Sequence, residues 1–541
     1  MPRNLPAGRH ASAPLIDKTL QIWPGGWTAS LAVMVGAAVY MLAHMLVRLP
    51  FSDVIAVDWV GETVYAQTLD WGQTPKYPPL PAWALWLVHQ VTGPGVLSTL
   101  VVKYAVLWAA FVAYFSASRR VLAHDGWAVL ATLSLLLLFQ VAWNAHEGVT
   151  HTIFLTLAAP LTLLAILRAR DAKTSGEGVA AYALVGLAVA IGALSKQAYF
   201  AGLAALVLAM LLQPGYRRVL LSCQILISGV VAAALAGPHY VWALTSGFDF
   251  GGAASATLAR PGLDSVTAQV LSGLWSSIRA PLLFLSPLVP LALLLMPRAF
   301  APRNLAHPGT HGVAGADPVR LVRDTLLFGV AVLIVPVLVA GVAHYGERWM
   351  HPLMLLGPIY LVAMIRAVRP TTWQVRAFIW IMFALTLIAL GWRLAGFVAP
   401  SPVTCGKCRL EVPYSDLADS VKDLGFADGT LLAGDEHIAG NMRTYFPHVR
   451  VVALNYGYYD PPQRETDLAD AGQCLVVWRT RQSAATTVIP PAALSYAGLI
   501  GLPEEASVEA YSLPHAHGSG DGANEVSHFA AMLMPGVGRC R

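Results

Sequence analysis

The chain is expected to be an α-helical polytopic membrane protein of about eleven transmembrane helices with a small C-terminal α/β domain outside the membrane. Three observations predict this. Of 541 residues, 56% are apolar and 12% charged, against about 25% charged in a soluble domain, and the mean hydropathy is +0.58. The apolar runs are long, continuous and free of period-two alternation, which selects helices over a barrel. Composition then breaks at Pro400: residues 400–541 hold 10 Lys and Arg and 16 Asp and Glu, a density no membrane segment carries.

At about 20 apolar residues per crossing, spans are expected near 27–49, 95–117, 126–145, 150–167, 179–196 and 197–213. Others follow near 219–240, 280–297, 324–343, 350–368 and 375–398. The first run has no small-residue cleavage site behind it and reads as an uncleaved anchor after a cytoplasmic segment, 1–26. Lys and Arg set the orientation. With the N-terminus inside, seventeen of those before residue 400 fall in cytoplasmic segments and eight on the other side. The transmembrane domain, 27–399, then delivers the C-terminal domain to the periplasmic face of a bacterial inner membrane. The net charge of +5 is small and gives no reason to expect a nucleic-acid partner.

In the C-terminal domain, TLLAGD (430–435), VRVVALN (449–455) and QCLVVW (473–478) read as strands, and 414–426 and 435–446 as helices. That alternation predicts an α/β domain. CGKC (405–408) is compatible with a redox pair, half a zinc site or a local disulfide. No second ligand pair follows and the motif sits in a linker, so the simplest reading in an oxidising compartment is two disulfides, Cys405–Cys408 and Cys474–Cys540.

Chemistry should lie where ionisable residues gather at the outer ends of spans. The first outer loop, 50–94, holds Asp53, Asp58, Glu62, Asp70 and Lys76, then Tyr77 and an aromatic amphipathic stretch. Asp58 and Glu62 are four apart, so on a helix they share one face, a repulsive arrangement unless a partner or a substrate proton relieves it. The alternative is a solvated loop with incidental acids. NAHEGVTH (144–151) brings His146, Glu147 and His151 to the start of a span. Glu147 and His151 have a spacing that can hold a metal, but two ligands are not a site, and hydrogen bonds between loops are the simpler role. Lys196 stands alone in an apolar stretch, where a lysine costs about 2.5–3.5 kcal/mol unless it reaches an interface or cavity; a lipid phosphate would suit it. HYGERWMHPL (344–353) crowds Glu347, Arg348 and His351 into one turn, with Arg348 either a phosphate ligand or the partner of Glu347.

The acidic first loop ending in KYPPLPAW (76–83), the LSK of 194–196 and ERWMHPL (347–353), in that order and on one side, resemble the family 39-type glycosyltransferases of the GT-C fold. That group uses dolichyl- or polyprenyl-phosphate sugars and includes lipid A aminoarabinose transferases and protein O-mannosyltransferases. The resemblance, over roughly 27–398, implies inverting transfer of a sugar from a polyprenyl-phosphate donor to a periplasmic lipid, glycan or protein acceptor. It implies a first-loop carboxylate as general base, Asp58 or Glu62 with Asp58 favoured. Lys76, Lys196 and Arg348 would hold the donor phosphate, and Asp53, Tyr77, His146, Glu147, His151 and His351 would line the site. Many members carry adjacent Asp-Glu where this chain has Gly61-Glu62, with Asp58 one turn earlier. No cofactor is required by this chemistry, no metal ligands are assigned, and a divalent cation is compatible with it. The rival reading is a lipid or solute transporter or flippase, which would place ionisable residues near the bilayer midplane and show inverted repeats; no such repeat is visible.

Overall fold

In a computed structural model of the chain, the described residues are 27–541 except 260–261, 263–264, 307–314, 400, 402, 405–408, 464–471, 481–487, 499–506 and 516–525. The proposed Cys405–Cys408 disulfide lies outside them. Seven helices are long and apolar enough to cross a membrane: α1 (Trp27–Arg48), α4 (Val96–Leu122), α5 (His151–Asp171), α6 (Ser175–Ala193), α7 (Ile225–Thr245), α8 (Pro318–Ala340) and α9 (Thr372–Val398). Between α1 and α4 lie two shorter helices, α2 (Val57–Tyr65) and α3 (Leu80–Thr92). The chain is a multi-pass membrane protein. Helix α5 is central, packed between α4 and α6, with 78% of its apolar window buried. The same measure is 22% for α1, 17% for α7 and 22% for α9, so their outer sides need lipid to cover them.

Four of the eleven expected spans are not single straight helices. Residues 197–213 form a helix, Tyr199–Leu211, that turns by 118° into Pro214–Leu221, and 350–368 lies in a pair bent by 63°. Proline at the first position of the second helix (Pro214) or its second (Pro358) starts a new helix while withholding a backbone donor. The segment 126–145 is a helix to Leu133 that continues as short 3₁₀ and helical turns to His146. The segment 280–297 divides between Val266–Phe284 and Leu288–Leu295, with Pro287 at the break. A hydropathy window registers apolar length and is blind to these turns.

The C-terminal domain holds helices α10 (Tyr414–Asp423) and α11 (Glu436–Tyr445) and strands β1 (Gly429–Ala433), β2 (Arg450–Ala453), β3 (Gln473–Arg479), β4 (Ser507–Pro514) and β5 (Val526–Pro535). Their order is β2-β1-β3-β5-β4. The first three strands, all expected, are parallel; β4 and β5 were not expected and add an antiparallel half. Strand β3 reads as an unbroken apolar run because both faces of the sheet are covered. Leu431, Leu475 and Phe529 face α10 and α11, while Leu432, Val476 and Met532 face a helix at Pro491–Ala497. The Cys474–Cys540 disulfide ties the chain's last residues to β3, as expected.

The first loop does not stand apart from this domain. Val54, Val64, Tyr65 and Ala82 belong to the same buried cluster as Leu431 and Met442, so α2 and α11 form one layer over the sheet. A Cβ on Gly440 would lie 2.4 Å from the Val60 carbonyl oxygen, so the two helices touch backbone to backbone where only glycine fits. Around that contact, Asn441 accepts from the Ile55 amide at 2.7 Å. Arg443 donates to the carbonyls of Thr63 and Ala66 at the end of α2, where a helix has unsatisfied acceptors and a negative dipole end. The Gln67 amide pairs in both directions with Val451 on the open edge of β2, at 2.8 Å each way.

Gly440→Val should therefore loosen the docking of the domain on α2 and destabilise the folded protein by about 1–3 kcal/mol, the usual cost of overpacking. Thermal unfolding and limited proteolysis of the purified protein in detergent measure this. An unchanged melting temperature and cleavage pattern would place the contact elsewhere.

Candidate active site

A cavity of about 670 Å³ opens where the span ends meet the C-terminal domain. Asp58 stands in the first turn of α2 and Glu62 one turn later, so both expected carboxylates face it. Lys76 and Tyr77 come from the loop before α3, His151 is the first residue of α5, and Lys196 sits in the turn after α6. Arg348 comes from a 3₁₀ turn at Glu347–Met350 after α8. Seven of the eleven expected site residues thus converge from five separate stretches of chain. None lies in the middle of a span, contrary to what a transporter pathway would need.

His151 organises this cluster. Its Nδ1 lies 3.0 Å from the Ser195 carbonyl oxygen, which can only accept, so Nδ1 carries a proton. Its Nε2 lies 2.8 Å from Oε1 of buried Glu62. Two acceptors cannot face each other at that distance, so the His151–Glu62 pair holds one shared proton. The same ring stacks on Tyr77, with centroids 4.8 Å apart. One imidazole therefore fixes α2, the Tyr77 loop and the turn bearing Lys196.

Asp58 is placed differently. It is exposed to the cavity and has no hydrogen-bond partner among the described residues. Desolvation by the surrounding walls pushes its carboxyl above the usual value, opposed by Arg348, His151 and Lys196 and assisted by Glu62. Burial likewise lowers Lys196, with Arg348 and Lys76 adding repulsion and Asp58 offsetting it. None of Lys76, Lys196 and Arg348 has a carboxylate within 4.0 Å among the described residues, and Arg348 makes no pair with Glu347. Three cations without carboxylate partners among the described residues give this cavity the chemistry to attract an anion.

The other four expected residues lie elsewhere. Buried His351 donates from Nδ1 to the Arg348 carbonyl at 2.9 Å and so braces that turn from behind. His146 is buried in the bundle, stacked on His44 at 3.6 Å and bonded to the Tyr40 hydroxyl at 2.9 Å. Asp53 accepts from the Tyr445 hydroxyl of α11 and faces the domain, not the cavity. Glu147 lies 3.3 Å from Arg393 Nε and lines a separate cavity. None of these four lines the first cavity, and each has a partner in the bundle or the C-terminal domain. Among the described residues there is no cluster of three metal-ligating side chains.

Sequence reasoning missed the domain's own contribution: Glu436, Asn455, Tyr456 and Tyr458 all line the cavity. The Asn455 amide donates to Glu436, and Tyr456 stacks on Tyr65, centroids 5.2 Å apart. A signal was present, because these residues follow the carboxyl ends of parallel strands β1 and β2, where open α/β sheets bind ligands.

Residues 76–242 match the family described as dolichyl-phosphate-mannose-protein mannosyltransferase. The crystal structure of ArnT from Cupriavidus metallidurans bound to undecaprenyl phosphate superimposes with a TM-score of 0.53 at 14% identity. It covers 94% of this chain and 98% of that one. The fold is that of the GT-C glycosyltransferases. Two lipopolysaccharide core galacturonosyltransferases of Rhizobium johnstonii are also similar over nearly their whole length. RgtA is 29% identical over 494 residues, 89% of this chain and 93% of that protein. RgtB is 26% identical over 489 residues, 90% and 94%. The superposition on ArnT extends over both the helical bundle and the C-terminal domain.

Because His151 is the one charge partner of buried Glu62 among the described residues, His151→Ala should destabilise the protein by about 3–5 kcal/mol. Adding Glu62→Gln should restore part of the loss, since the stranded carboxylate is then gone. Unfolding midpoints of the two single variants and the double variant report the coupling; additive effects would show that the pair is not coupled.

Proposed function

We propose that the protein transfers a sugar from a polyprenyl-phosphate donor to a glycan acceptor at the outer face of the bacterial inner membrane, with inversion at the anomeric carbon. Lipopolysaccharide core is the acceptor class that the names of RgtA and RgtB support. The observation that carries the reading is the convergence, on one cavity at the span ends, of three cations and a carboxylate that have no ionic partner among the described residues. Undecaprenyl phosphate in the ArnT structure supports a lipid phosphate as the anion. A galacturonosyl donor would bring a second negative group, a carboxylate, and three cations can serve both.

In this mechanism Asp58 is the general base. Glu62 is occupied by His151, whereas Asp58 is free to take a proton from an acceptor hydroxyl. The acceptor oxygen bonds to the anomeric carbon as the carbon–oxygen bond to phosphate breaks, and its electron pair leaves with the polyprenyl phosphate. Lys76, Lys196 and Arg348 stabilise the charge that develops on that phosphate. Proton transfer by a placed base contributes about 10²–10⁴-fold.

With purified protein and radiolabelled polyprenyl-phosphate sugars, Asp58→Asn should lower turnover onto an envelope extract by about 10²-fold or more. Glu62→Gln should act less strongly, through loss of the His151 contact. Full turnover by a folded Asp58→Asn variant would rule out this base, and uptake of substrate into sealed vesicles without glycosyl product would favour transport. The base works only when ionised and its carboxyl is raised in the folded protein. The rate should therefore fall as pH drops through a midpoint above the usual aspartate value of about 4. A profile flat down to that pH would move the base elsewhere.

A further inference from the structure

Glycine inside a helix costs stability against alanine, and α2 carries one at its centre. Gly61 stands between Asp58 and Glu62 and is buried. A Cβ there would lie 2.5 Å from the Tyr456 hydroxyl oxygen and 3.2 Å from the ring carbons Cε2 and Cζ. The hydroxyl end of Tyr456, a residue of the C-terminal domain, thus occupies the space that a side chain at position 61 would fill. Packing holds it there. The Tyr456 amide donates to the Ala453 carbonyl at 2.9 Å, in the turn that follows β2. Its ring stacks on Tyr65, one turn beyond Gly61 on the same face of α2, and Tyr459 meets Tyr65 edge-on at 5.2 Å.

The hydroxyl itself has no hydrogen-bond partner among the described residues, and Tyr456 lines the cavity together with Asp58 and Glu436. Burial pushes this phenol above the usual tyrosine value, and the Glu436 and Glu62 charges add to the shift, so it keeps its proton. It is a neutral donor fixed against α2 three residues from Asp58, about 4.5 Å along the helix axis.

We propose that Tyr456 is a sugar-binding residue, its hydroxyl donating to an oxygen of the transferred sugar and holding the anomeric carbon at Asp58, and that Gly61 lacks a side chain in order to admit it. The proposal rests on the transferase reading above and deepens it. A sugar suits this hydroxyl better than the phosphate does. Glu436 is the charge that acts on it most strongly, and a carboxylate repels phosphate but accepts from sugar hydroxyls. The phosphate has its own partners in Lys76, Lys196 and Arg348. Placement of the reacting carbon is worth much in such a displacement, because a small misalignment of carbon and base slows the reaction steeply. The C-terminal domain thereby takes part in orienting the donor.

The test uses the full-length protein in lipid nanodiscs. Turnover is measured with radiolabelled polyprenyl-phosphate sugars and envelope extract, and binding with undecaprenyl phosphate, which has no sugar. Tyr456→Phe should lower kcat/KM by about tenfold, the loss of one hydrogen bond, and leave undecaprenyl phosphate affinity within about twofold. Gly61→Ala should lower kcat/KM similarly, because a methyl group 2.5 Å from the hydroxyl oxygen displaces it. Combining the two should cost nothing further: without the oxygen, the nearest ring atoms stand 3.2 Å from the new methyl, and the same bond is lost only once. Full turnover by Tyr456→Phe overturns the proposal. So do multiplicative losses in the double variant, and so does a parallel loss of undecaprenyl phosphate binding, which would make Tyr456 a support of the fold or of the phosphate site. If Gly61→Ala fails to fold, Tyr456→Phe decides alone by turnover and binding. Absence of turnover by the wild type with every polyprenyl-phosphate sugar overturns instead the transferase reading on which the proposal stands.

Discussion

Everything at the candidate site depends on how α2 is held. It is a nine-residue helix, too short to be stable alone in water. Its stability comes from being clamped between the bundle and the sheet domain. On one side Glu62 meets His151 at the start of α5; on the other, Gly440 admits the Val60 carbonyl and Arg443 caps the carbonyl end. The contact also fixes Asp58, because a helix positioned at Glu62 and at its last turn has no freedom left at its first.

The same logic explains the neighbouring loops. Arg48 donates to the carbonyls of Ser52 and Val54, and Lys103 and Arg393 donate to the carbonyls that follow Ala145. These cations at span ends are used as backbone clamps, which satisfies carbonyls that would otherwise be buried without a donor. The cations of the cavity are not used in this way. Lys76, Lys196 and Arg348 have no carboxylate partners among the described residues, and half-buried Lys196 bears a desolvation cost that a bound anion would offset. The contrast between clamping and unpaired cations separates framework from site within one protein.

Much of this was legible in the chain. Long apolar runs predict spans, and the scarcity of charge makes each outward ionisable residue conspicuous, which is why Asp58, Glu62, Lys76, His151, Lys196 and Arg348 could be singled out. Asp53, His146, Glu147 and His351 looked equivalent to them, because a linear reading cannot tell which way a side chain turns. Likewise β4 has a half-exposed mixture of polar and apolar residues and does not stand out as the apolar β3 does, while β5, though buried over residues 529–532, pairs with β3 from far along the chain.

What the sequence by itself determined is the solvent of each part and the chemical inventory. Apolar length and charge density decide which residues meet lipid and which meet water, and those quantities are local. Tertiary structure alone decided the site. The pairing of Glu62 with His151, the freedom of Asp58, and the arrival of Glu436, Asn455 and Tyr456 from a domain more than 350 residues along the chain are long-range packing outcomes. They follow from a glycine contact and a few directed hydrogen bonds, whose partners no spacing rule connects.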